Sequence, residues 1–274
     1  AGPACGHRRD LEAIQHARGA GGLSVDILKT TRLCKSFGET HAVDHVDFTV
    51  TAGEVLALIG SNGAGKTTLI NLISGLIPPD SGRIEFQGAD ITRASIHRKI
   101  ELGIARSFQL VNLFDQLSVH DNVTLAIFSR EGRTRRLLSL ADADVAVRDE
   151  AVAVLKQFGL DGRAGAPAGG LSQGERKLLE VAVAYALRPK LLFLDEPTCG
   201  VSTREKAPIM DIISQVVRSG GITAVIVEHD MDVVFTYCPR IVARHQGTIL
   251  ADGTPDQIRN NAQVTANLLG AQTA

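Results

Sequence analysis

The feature that most constrains this chain is the stretch at residues 60–68, which reads Gly-Ser-Asn-Gly-Ala-Gly-Lys-Thr-Thr. Its spacing is G-x-x-x-x-G-K-[ST], the pattern of a glycine-rich loop that holds phosphate groups. An apolar run at 55–59 precedes it and is typical of a buried strand, and apolar residues at helical spacing follow it as far as Gly75. A strand, a glycine loop and a helix in this order point backbone N–H groups and a helix N-terminus at one place. The stretch therefore predicts a nucleotide phosphate site.

Two side chains of this loop have chemistry that suits a nucleotide. Lys66 can reach the β- and γ-phosphates, and the hydroxyl of Thr67 can ligate Mg²⁺. The competing interpretation is a chance match in an ordinary strand-turn-helix, but the spacing rarely occurs by chance in a chain of this length, and the need for a flanking strand and helix makes it rarer still.

Two further apolar runs end in polar side chains. The run at 191–194 ends in Asp195 and Glu196, and the run at 222–227 leads to His229. Because ligands bind at the carboxyl ends of parallel strands, Asp195 can hold the metal ion while Glu196 faces the attacking water. His229 can contact a γ-phosphate, although a lone histidine is more often structural. For the acidic pair, the alternative interpretation is a helix N-cap with a flanking charge.

Short runs near the start of the chain predict a second sheet. Residues 25–28, 43–50 and 83–86 have strand character and indicate an antiparallel layer beside the nucleotide strand. Phe37 lies between the first two runs. Periodicity alone favours core packing for this aromatic side chain.

The chain divides by pattern into a tail and one domain. Residues 1–23 are predicted to be a disordered tail or a cloning remnant, and residues 24–274 to be a single domain. Within it, residues 24–90 and 171–274 would form the α/β core, and residues 91–170 a helical lobe inserted into it. The helical spacing of that lobe is carried by Val147, Ala151, Val154 and Phe158.

The composition excludes some function classes. With 44% hydrophobic residues, 22% charged residues and a net charge of −1, the chain has an ordinary globular composition that gives no support to nucleic-acid binding. No apolar run approaches the roughly 18–20 residues that span a bilayer, so a membrane role requires a partner. The four cysteines show no C-x-x-C spacing and are predicted to be free, buried thiols.

Five motifs stand in an order that resembles the ATP-binding cassette ATPases from about residue 24 onward. They are the phosphate loop at 60–68, Ser-Phe-Gln at 107–109, Leu-Ser-Gln-Gly-Glu at 171–175, Leu-Leu-Phe-Leu-Asp-Glu-Pro at 191–197 and Glu-His-Asp at 228–230. Residues 103–109, 227–231 and 268–270 are similar to the ATPase subunits of branched-chain amino-acid importers and of the related urea and amide importers. The fold that the resemblance implies is a P-loop NTPase core with a parallel sheet, an antiparallel β layer and an inserted, mostly helical subdomain.

The resemblance implies a role for each matching residue. Phe37 would stack on adenine, which reverses the core-packing interpretation. Glu196 would polarise the attacking water, His229 would touch the γ-phosphate, and Gln109 would sense both the metal ion and the water. The Mg²⁺ ligands would be Thr67, Gln109 and Asp195. The residues that hold ATP would be Phe37, Gly60, Ser61, Asn62, Gly63, Ala64, Gly65, Lys66, Thr67 and Thr68, and Ser172 and Gly174 would bind the ATP of an opposite subunit.

The resemblance also implies partners and a location. The active unit would be a head-to-tail homo- or heterodimer that binds transmembrane permease subunits and, through them, serves a solute-binding protein. It would sit at the cytoplasmic face of the inner membrane and power uptake of branched-chain amino acids or a related small polar solute. The candidate contacts to the permease are Val111, Leu113 and Phe114. Packing of these three side chains in the core is an alternative of equal weight.

The sequence departs from the family pattern at two places, and it is compatible with several alternative functions. The signature reads Leu-Ser-Gln-Gly-Glu, which keeps Ser172 and Gly174, and Ser202 stands where the family commonly has Asp. We interpret Ser202 as altering communication between two sites, not as abolishing activity. The alternatives are urea or amide import, lipid or polysaccharide export, a soluble cassette of translation or DNA maintenance, and a non-hydrolysing module. The intact Lys66, Asp195, Glu196 and His229 argue against the last of these.

Overall fold

The fold is described from a computed structural model that covers residues 25–107, 113–132 and 145–269. The strands in these residues form two sheets, one of four strands and one of six. In chain order they are β1 (Asp26–Phe37), β2 (Thr40–Thr51), β3 (Val55–Gly60), β4 (Ser81–Phe86), β5 (Ala89–Asp90), β6 (Ile104–Arg106), β7 (Leu191–Asp195), β8 (Thr223–Val227), β9 (Arg240–His245) and β10 (Thr248–Gly253).

The six-stranded sheet has the order β10-β9-β3-β8-β7-β6 and is parallel except at β10. Its inner strands β3, β7 and β8 are apolar runs buried on both faces, as expected when helices or another layer cover each side of a parallel sheet. Because β3 lies next to β8 and β8 next to β7, the ends of the three predicted site strands meet at one sheet edge. The predicted α/β class is confirmed.

The four-stranded sheet is antiparallel, with the order β2-β1-β4-β5. The predicted antiparallel layer is present, with strands longer than the short runs in the sequence. A hydrophobic core lies between the two sheets and includes Phe48, Leu58, Leu69 and Phe193, all 2% exposed or less. Burying side chains of this size stabilises the fold by about 1.5–3 kcal/mol each, so this core ties the phosphate loop to the antiparallel layer.

The helices flank the six-stranded sheet and begin at recognisable caps. Ser95, Ser118, Ser172 and Asp230 each accept a backbone N–H at a helix N-terminus. In the described residues the helices are α1 (Lys66–Ser74), α2 (Ile96–Leu102), α3 (Val119–Arg130), α4 (Val145–Gln157), α5 (Gln173–Ala186), α6 (Thr203–Ser219), α7 (Met231–Tyr237), α8 (Pro255–Arg259) and α9 (Ala262–Val264), followed by a π-helical turn (Thr265–Leu269).

The segment predicted as a helical lobe, residues 91–170, contains α2, α3 and α4 and also one core strand. That strand, β6, pairs in parallel with β7 at the edge of the six-stranded sheet. Helices α3, α4 and α5 share the second hydrophobic core, in which Val123, Ala151 and Leu155 are fully buried. The chain therefore passes through the core sheet once before it enters α3.

Two sequence-based statements about surface chemistry can be compared with the structure. None of the helices in the described ranges combines the length and the apolar character needed to cross a membrane. The prediction of buried thiols is wrong for two cysteines: Cys199 is exposed and Cys34 is half-buried, because both lie in turns or bulged strand near the surface. Cys238 is buried, and burial raises the pKa of its thiol to about 12.

Candidate functional site

The loop at 60–68 has a backbone shape that only glycine permits at one position. Gly63 and Gly65 both have left-handed φ angles, of 81° and 82°. A Cβ atom at Gly65 would lie 1.9 Å from the carbonyl oxygen of Ala42 in β2, which is far inside van der Waals contact. The close approach of the antiparallel sheet therefore shapes the loop and directs the N-terminus of α1 into the site.

The amine of Lys66 lies over the loop. Its Nζ donates hydrogen bonds to the carbonyl oxygens of Gly60, at 2.6 Å, and Ser61, at 3.1 Å. Burial lowers the pKa of this amine, and the carboxylates of Glu196 and Asp195 act in the opposite direction. The lysine is thus a cation held next to the loop and near the two acidic residues at and just after the end of β7.

A buried arginine that the motif analysis missed supports the loop from below. Arg244 of β9 donates to the carbonyl oxygen of Gly65, at 2.6 Å, and to that of Gly247, at 2.7 Å. Arg244 is fully buried, and burial lowers the pKa of its guanidinium to about 10. Because Arg244 binds a loop carbonyl, it stabilises the conformation of the loop at the point where α1 begins.

Asp195 ends β7 beside the loop and is held by an arginine from the neighbouring strand. The Nη2 of Arg106 donates to Oδ2 of Asp195, and its Nη1 donates to Oδ1 of Asn71 in α1. The Arg106 side chain is fully buried, whereas Asp195 retains 14% of its side-chain exposure. The carboxylate predicted to hold the metal ion is therefore accessible from the site and fixed from behind.

Glu196 and His229 come together from the ends of β7 and β8. Oε1 of Glu196 lies 3.0 Å from Nε2 of His229, and both side chains are partly exposed to the site. Glu196 has a left-handed φ of 50°, and its N–H donates to the carbonyl oxygen of Val227 at 2.8 Å. A non-glycine residue in this conformation is strained, and such residues concentrate at functional sites. The structure brings these two residues together at one sheet edge, and their separate roles stay predictions.

Glu228, which precedes His229, is a buried carboxylate that the motif analysis left without a role. It accepts the N–H of Thr198 at 2.9 Å, the Thr198 hydroxyl at 2.6 Å and the N–H of His229 at 3.0 Å. Only 3% of this residue is exposed. Glu228 therefore joins the segment after β7 to the segment after β8, next to the Glu196–His229 pair.

The Ser172 motif forms the N-terminus of α5. Glu175 donates its N–H to the Ser172 hydroxyl at 3.3 Å, and its carboxylate accepts the N–H of Ser172 at 2.8 Å. This reciprocal pair is a capping box, which Glu completes as well as Gln does, so the Glu in this signature has a structural explanation. A Cβ atom at Gly174 would lie 3.2 Å from Ile209 of α6, so glycine lets the two helices pack closely.

The remaining residues singled out in the sequence lie either outside the described residues or away from the contacts described above. Gln109 and Val111 lie outside the described residues. Phe37 is 53% exposed with the amine of Lys35 5.6 Å from its ring centroid, so the core-packing interpretation is wrong. Ser202 donates its hydroxyl to Glu205 at 2.5 Å as the N-cap of α6.

The phosphate loop and the histidine line one cavity of about 200 Å³. Its lining includes Gly60, Ser61 and Asn62 of the loop together with His229 and Met231. The phosphate loop and the segment after β8 therefore border the same cavity.

Comparison with known proteins agrees with this geometry. A family model described as ABC transporter matches residues 43–199. The high-affinity branched-chain amino acid transport ATP-binding protein BraF of Pseudomonas aeruginosa is 34% identical over 254 residues, covering 90% of this chain and 99% of the relative. The lipopolysaccharide export system ATP-binding protein LptB of Haemophilus influenzae is 32% identical over 248 residues, with 90% and 99% covered. The crystal structure of an ATP-binding cassette of an ABC transporter in its ADP conformation superposes with a TM-score of 0.79 at 30% identity, covering 90% of this chain and all of that one.

Proposed function

Because this chain belongs to the ABC transporter family of ATP-binding cassettes, we propose that it is the ATP-hydrolysing subunit of an importer for branched-chain amino acids or a related small polar solute. The observation that carries this proposal is the similarity to BraF over 90% of this chain and 99% of the relative, supported by a set of candidate site residues on neighbouring elements. Within this set, Lys66 would supply a cation for the phosphates and Asp195 a carboxylate for a metal ion. Glu196 would supply the acid that acts on the water, with the imidazole of His229 beside it.

The residues present fit a magnesium-bound nucleoside triphosphate. The left-handed glycines keep the loop N–H groups directed at an anion, and Thr67 is the second residue of α1, next to Lys66. Lys66 would bind the β- and γ-phosphates, and Thr67 and Asp195 would hold magnesium, with Gln109 as a further proposed ligand. When bound, magnesium would neutralise charge on the phosphate oxygens.

Glu196 is the group that would orient and deprotonate the attacking water. Its carboxylate is partly exposed at the site, and the contact to His229 at 3.0 Å limits its rotation. Glu196 directly follows the last residue of β7, and its carboxylate is close enough to Lys66 to act on the pKa of that amine. His229 would hold the carboxylate and contact the γ-phosphate with the same imidazole.

Two substitutions test this assignment separately. Glu196→Gln should lower the turnover number for ATP hydrolysis by about 10²–10⁴-fold and leave ATP binding intact, because the amide cannot accept the proton. Wild-type turnover in this variant would remove Glu196 from the base role. Lys66→Ala should weaken ATP binding itself, and an unchanged affinity in a calorimetric titration would contradict the phosphate-loop assignment.

A second subunit would complete each site. Ser172 is exposed at the N-terminus of α5, and the N–H groups of a helix N-terminus favour an anion. Because this end of α5 carries the capping box, its geometry is fixed before any ligand arrives. We expect Ser172 and Gly174 of one subunit to contact the ATP held by the phosphate loop of the other, in a head-to-tail dimer.

The permease would dock in the groove between the core and the α3–α5 segment. A concavity of about 370 Å³ there is bordered by Phe114, which is 56% exposed, and by apolar side chains of α3 and α5. The remaining lining residues are Ile100, Ala105, Arg106, Asn122, Leu125, Ala126, Ser129, Val183 and Leu187. An apolar groove with one exposed aromatic residue suits a short helix of the permease at the cytoplasmic face of the inner membrane.

Export of a lipid or polysaccharide is the second candidate, and the similarity to LptB supports it. The two candidates differ in the partners that they require. Isolation of the chain from its native membrane should recover polytopic permease subunits and a second ATPase, and uptake of labelled leucine should stop when Glu196→Gln replaces the wild type. Recovery of a lipid-exporting permease instead would replace the importer proposal.

A further inference from the structure

We propose that Arg106 is a positioning residue for the metal-binding carboxylate: it fixes Asp195 against the phosphate-loop helix and so determines how strongly magnesium increases the affinity for ATP. The inference rests on the proposed function, because it assigns to Asp195 the role of magnesium ligand. It adds a residue from β6 to the site. Arg106 is in none of the five motifs and directly precedes Ser-Phe-Gln at 107–109.

The contacts of Arg106 connect two parts of the site that come from distant parts of the chain. Arg106 is in register with Phe193 of β7, two residues before Asp195, so its side chain reaches the end of the neighbouring strand. One nitrogen of the guanidinium donates to Oδ2 of Asp195, and another donates to Oδ1 of Asn71. Asn71 is in α1, the helix that begins at Lys66. A single planar group therefore sets the position of the carboxylate relative to the phosphate loop.

Fold stability does not by itself explain this arrangement. The Arg106 side chain is fully buried, and removing a guanidinium from water has a desolvation cost that an ion pair often does not offset. Its Nε is also buried, with no hydrogen-bond acceptor among the residues that the structure describes. An apolar side chain of similar volume would often be as stable at such a position, so a role in the site is the better explanation.

The two oxygens of Asp195 have different surroundings. Oδ2 is engaged by Arg106, whereas no hydrogen bond to Oδ1 is found among the described residues. The carboxylate thus presents one oxygen to the site in a fixed orientation. Magnesium requires near-ideal octahedral geometry, so a ligand oxygen that is free to rotate binds it less well. Partners that orient a metal ligand typically contribute 10- to 100-fold to metal affinity.

The test compares the dissociation constant of a fluorescent ATP analogue in EDTA with that in saturating Mg²⁺, a ratio that we call the magnesium gain. Arg106→Met should reduce the magnesium gain by roughly 10- to 100-fold, with little change of affinity in EDTA. The magnesium gain of Arg106→Lys should lie between those of the wild type and Arg106→Met, because lysine keeps the charge but cannot bind both acceptors with one planar group. If the Met variant does not fold, the Lys variant carries the test.

Arg240→Met is the matched control. Arg240 makes an ion pair of the same kind, with Asp252 at 2.7 Å and Glu54 at 2.9 Å, but it lies level with Leu56 at the opposite end of β3 from the phosphate loop. This variant should unfold at a lower temperature and keep the wild-type magnesium gain.

The outcomes separate the inference from the proposed function. An Arg106→Met protein that is destabilised like the control and keeps its magnesium gain would overturn the inference and leave a structural role. In an Asp195→Asn background, Arg106→Met should cause no further loss of the magnesium gain, and a further loss would show that Arg106 does not act through Asp195. Wild-type protein that binds no ATP in either buffer would refute the proposed function instead.

Discussion

Replacing Glu228 with glutamine should destabilise the protein far more than its conservative chemistry suggests. The Glu228 carboxylate is buried and accepts four hydrogen bonds, from the N–H and hydroxyl of Thr198 and from the N–H groups of His229 and Asp230, at 2.6–3.5 Å. Hydrogen bonds to a charged group contribute about 1.5–3 kcal/mol each, and glutamine keeps one acceptor oxygen while its NH₂ group must face at least one of these donors. We expect a loss of about 2–4 kcal/mol in the free energy of unfolding.

That loss corresponds to a measurable shift in a thermal unfolding experiment. For a domain of this size, 1 kcal/mol changes the unfolding midpoint by about 2–4 °C, so Glu228→Gln should lower it by roughly 4–16 °C. Because Glu228 also positions the segments that follow β7 and β8, the turnover of ATP hydrolysis should fall by on the order of 10- to 100-fold. Both quantities are measured at pH 7, by calorimetry and by phosphate release.

Glu180→Gln is the matched control, since Glu180 is a second carboxylate of low exposure in the same domain. Its Oε2 has no hydrogen-bond partner among the described residues, and burial raises the pKa of its carboxyl group. Nζ of Lys177 lies 3.9 Å from the same oxygen, so a neutral amide removes a desolvated charge and one long ion pair together, and the unfolding midpoint should stay within a few degrees of the wild type. The reasoning is refuted if the two variants unfold at the same temperature, or if Glu228→Gln stays within about 2 °C of the wild type.

Three further substitutions test other parts of the structure. Gly65→Ala should abolish ATP binding in a calorimetric titration, because the added Cβ would lie 1.9 Å from the Ala42 carbonyl oxygen and the loop would have to move. Lys99→Met should stabilise the protein against unfolding by urea at pH 7. Burial lowers the pKa of Lys99 from 10.5 to about 8, and its one acceptor in the described residues is the Leu72 carbonyl. The buried ammonium therefore costs up to about 3 kcal/mol of folding free energy. Since that cost disappears as the pH rises from 8 to 10.5, the advantage of the variant should shrink over that range, and a constant advantage would contradict the pKa direction. Ser172→Ala should cost about 0.5–2 kcal/mol through the lost helix cap and should lower ATPase activity while leaving ATP affinity of the isolated chain unchanged.

The parts of the fold that could be predicted from the sequence are those whose chemistry is local. The phosphate loop was identifiable because its glycines, lysine and flanking elements are contiguous, and β7 and β8 because each is an apolar run that ends in a polar side chain. The start of α8 is local in the same way: Thr254 is its N-cap, Pro255 is at the first helical position and Gln257 completes the capping box, all within four adjacent residues.

The residues that were missed act through contacts between distant parts of the chain. Arg106 is 89 residues from Asp195, Arg244 is 179 residues from Gly65, and Glu228 is 30 residues from Thr198. No periodicity or spacing in one sequence marks such pairs, because each partner alone has the composition of an ordinary strand or turn. Phe37 was misinterpreted from periodicity for a related reason: alternation within a strand does not indicate that the hairpin end of β1 lies beyond the core.

The position of Arg106 also suggests how docking and nucleotide chemistry could be connected. The same residue lines the groove proposed for the permease and donates to the carboxylate proposed to bind magnesium, so one side chain contacts both. A partner that shifts β6 on docking would move Asp195 relative to α1 through the contact to Asn71. Linkage is reciprocal, so magnesium and ATP would change the affinity for that partner by the same factor by which the partner changes theirs. Coupling of this kind requires no rearrangement of the core sheet, because β6 is an edge strand that pairs only with β7 in the described residues.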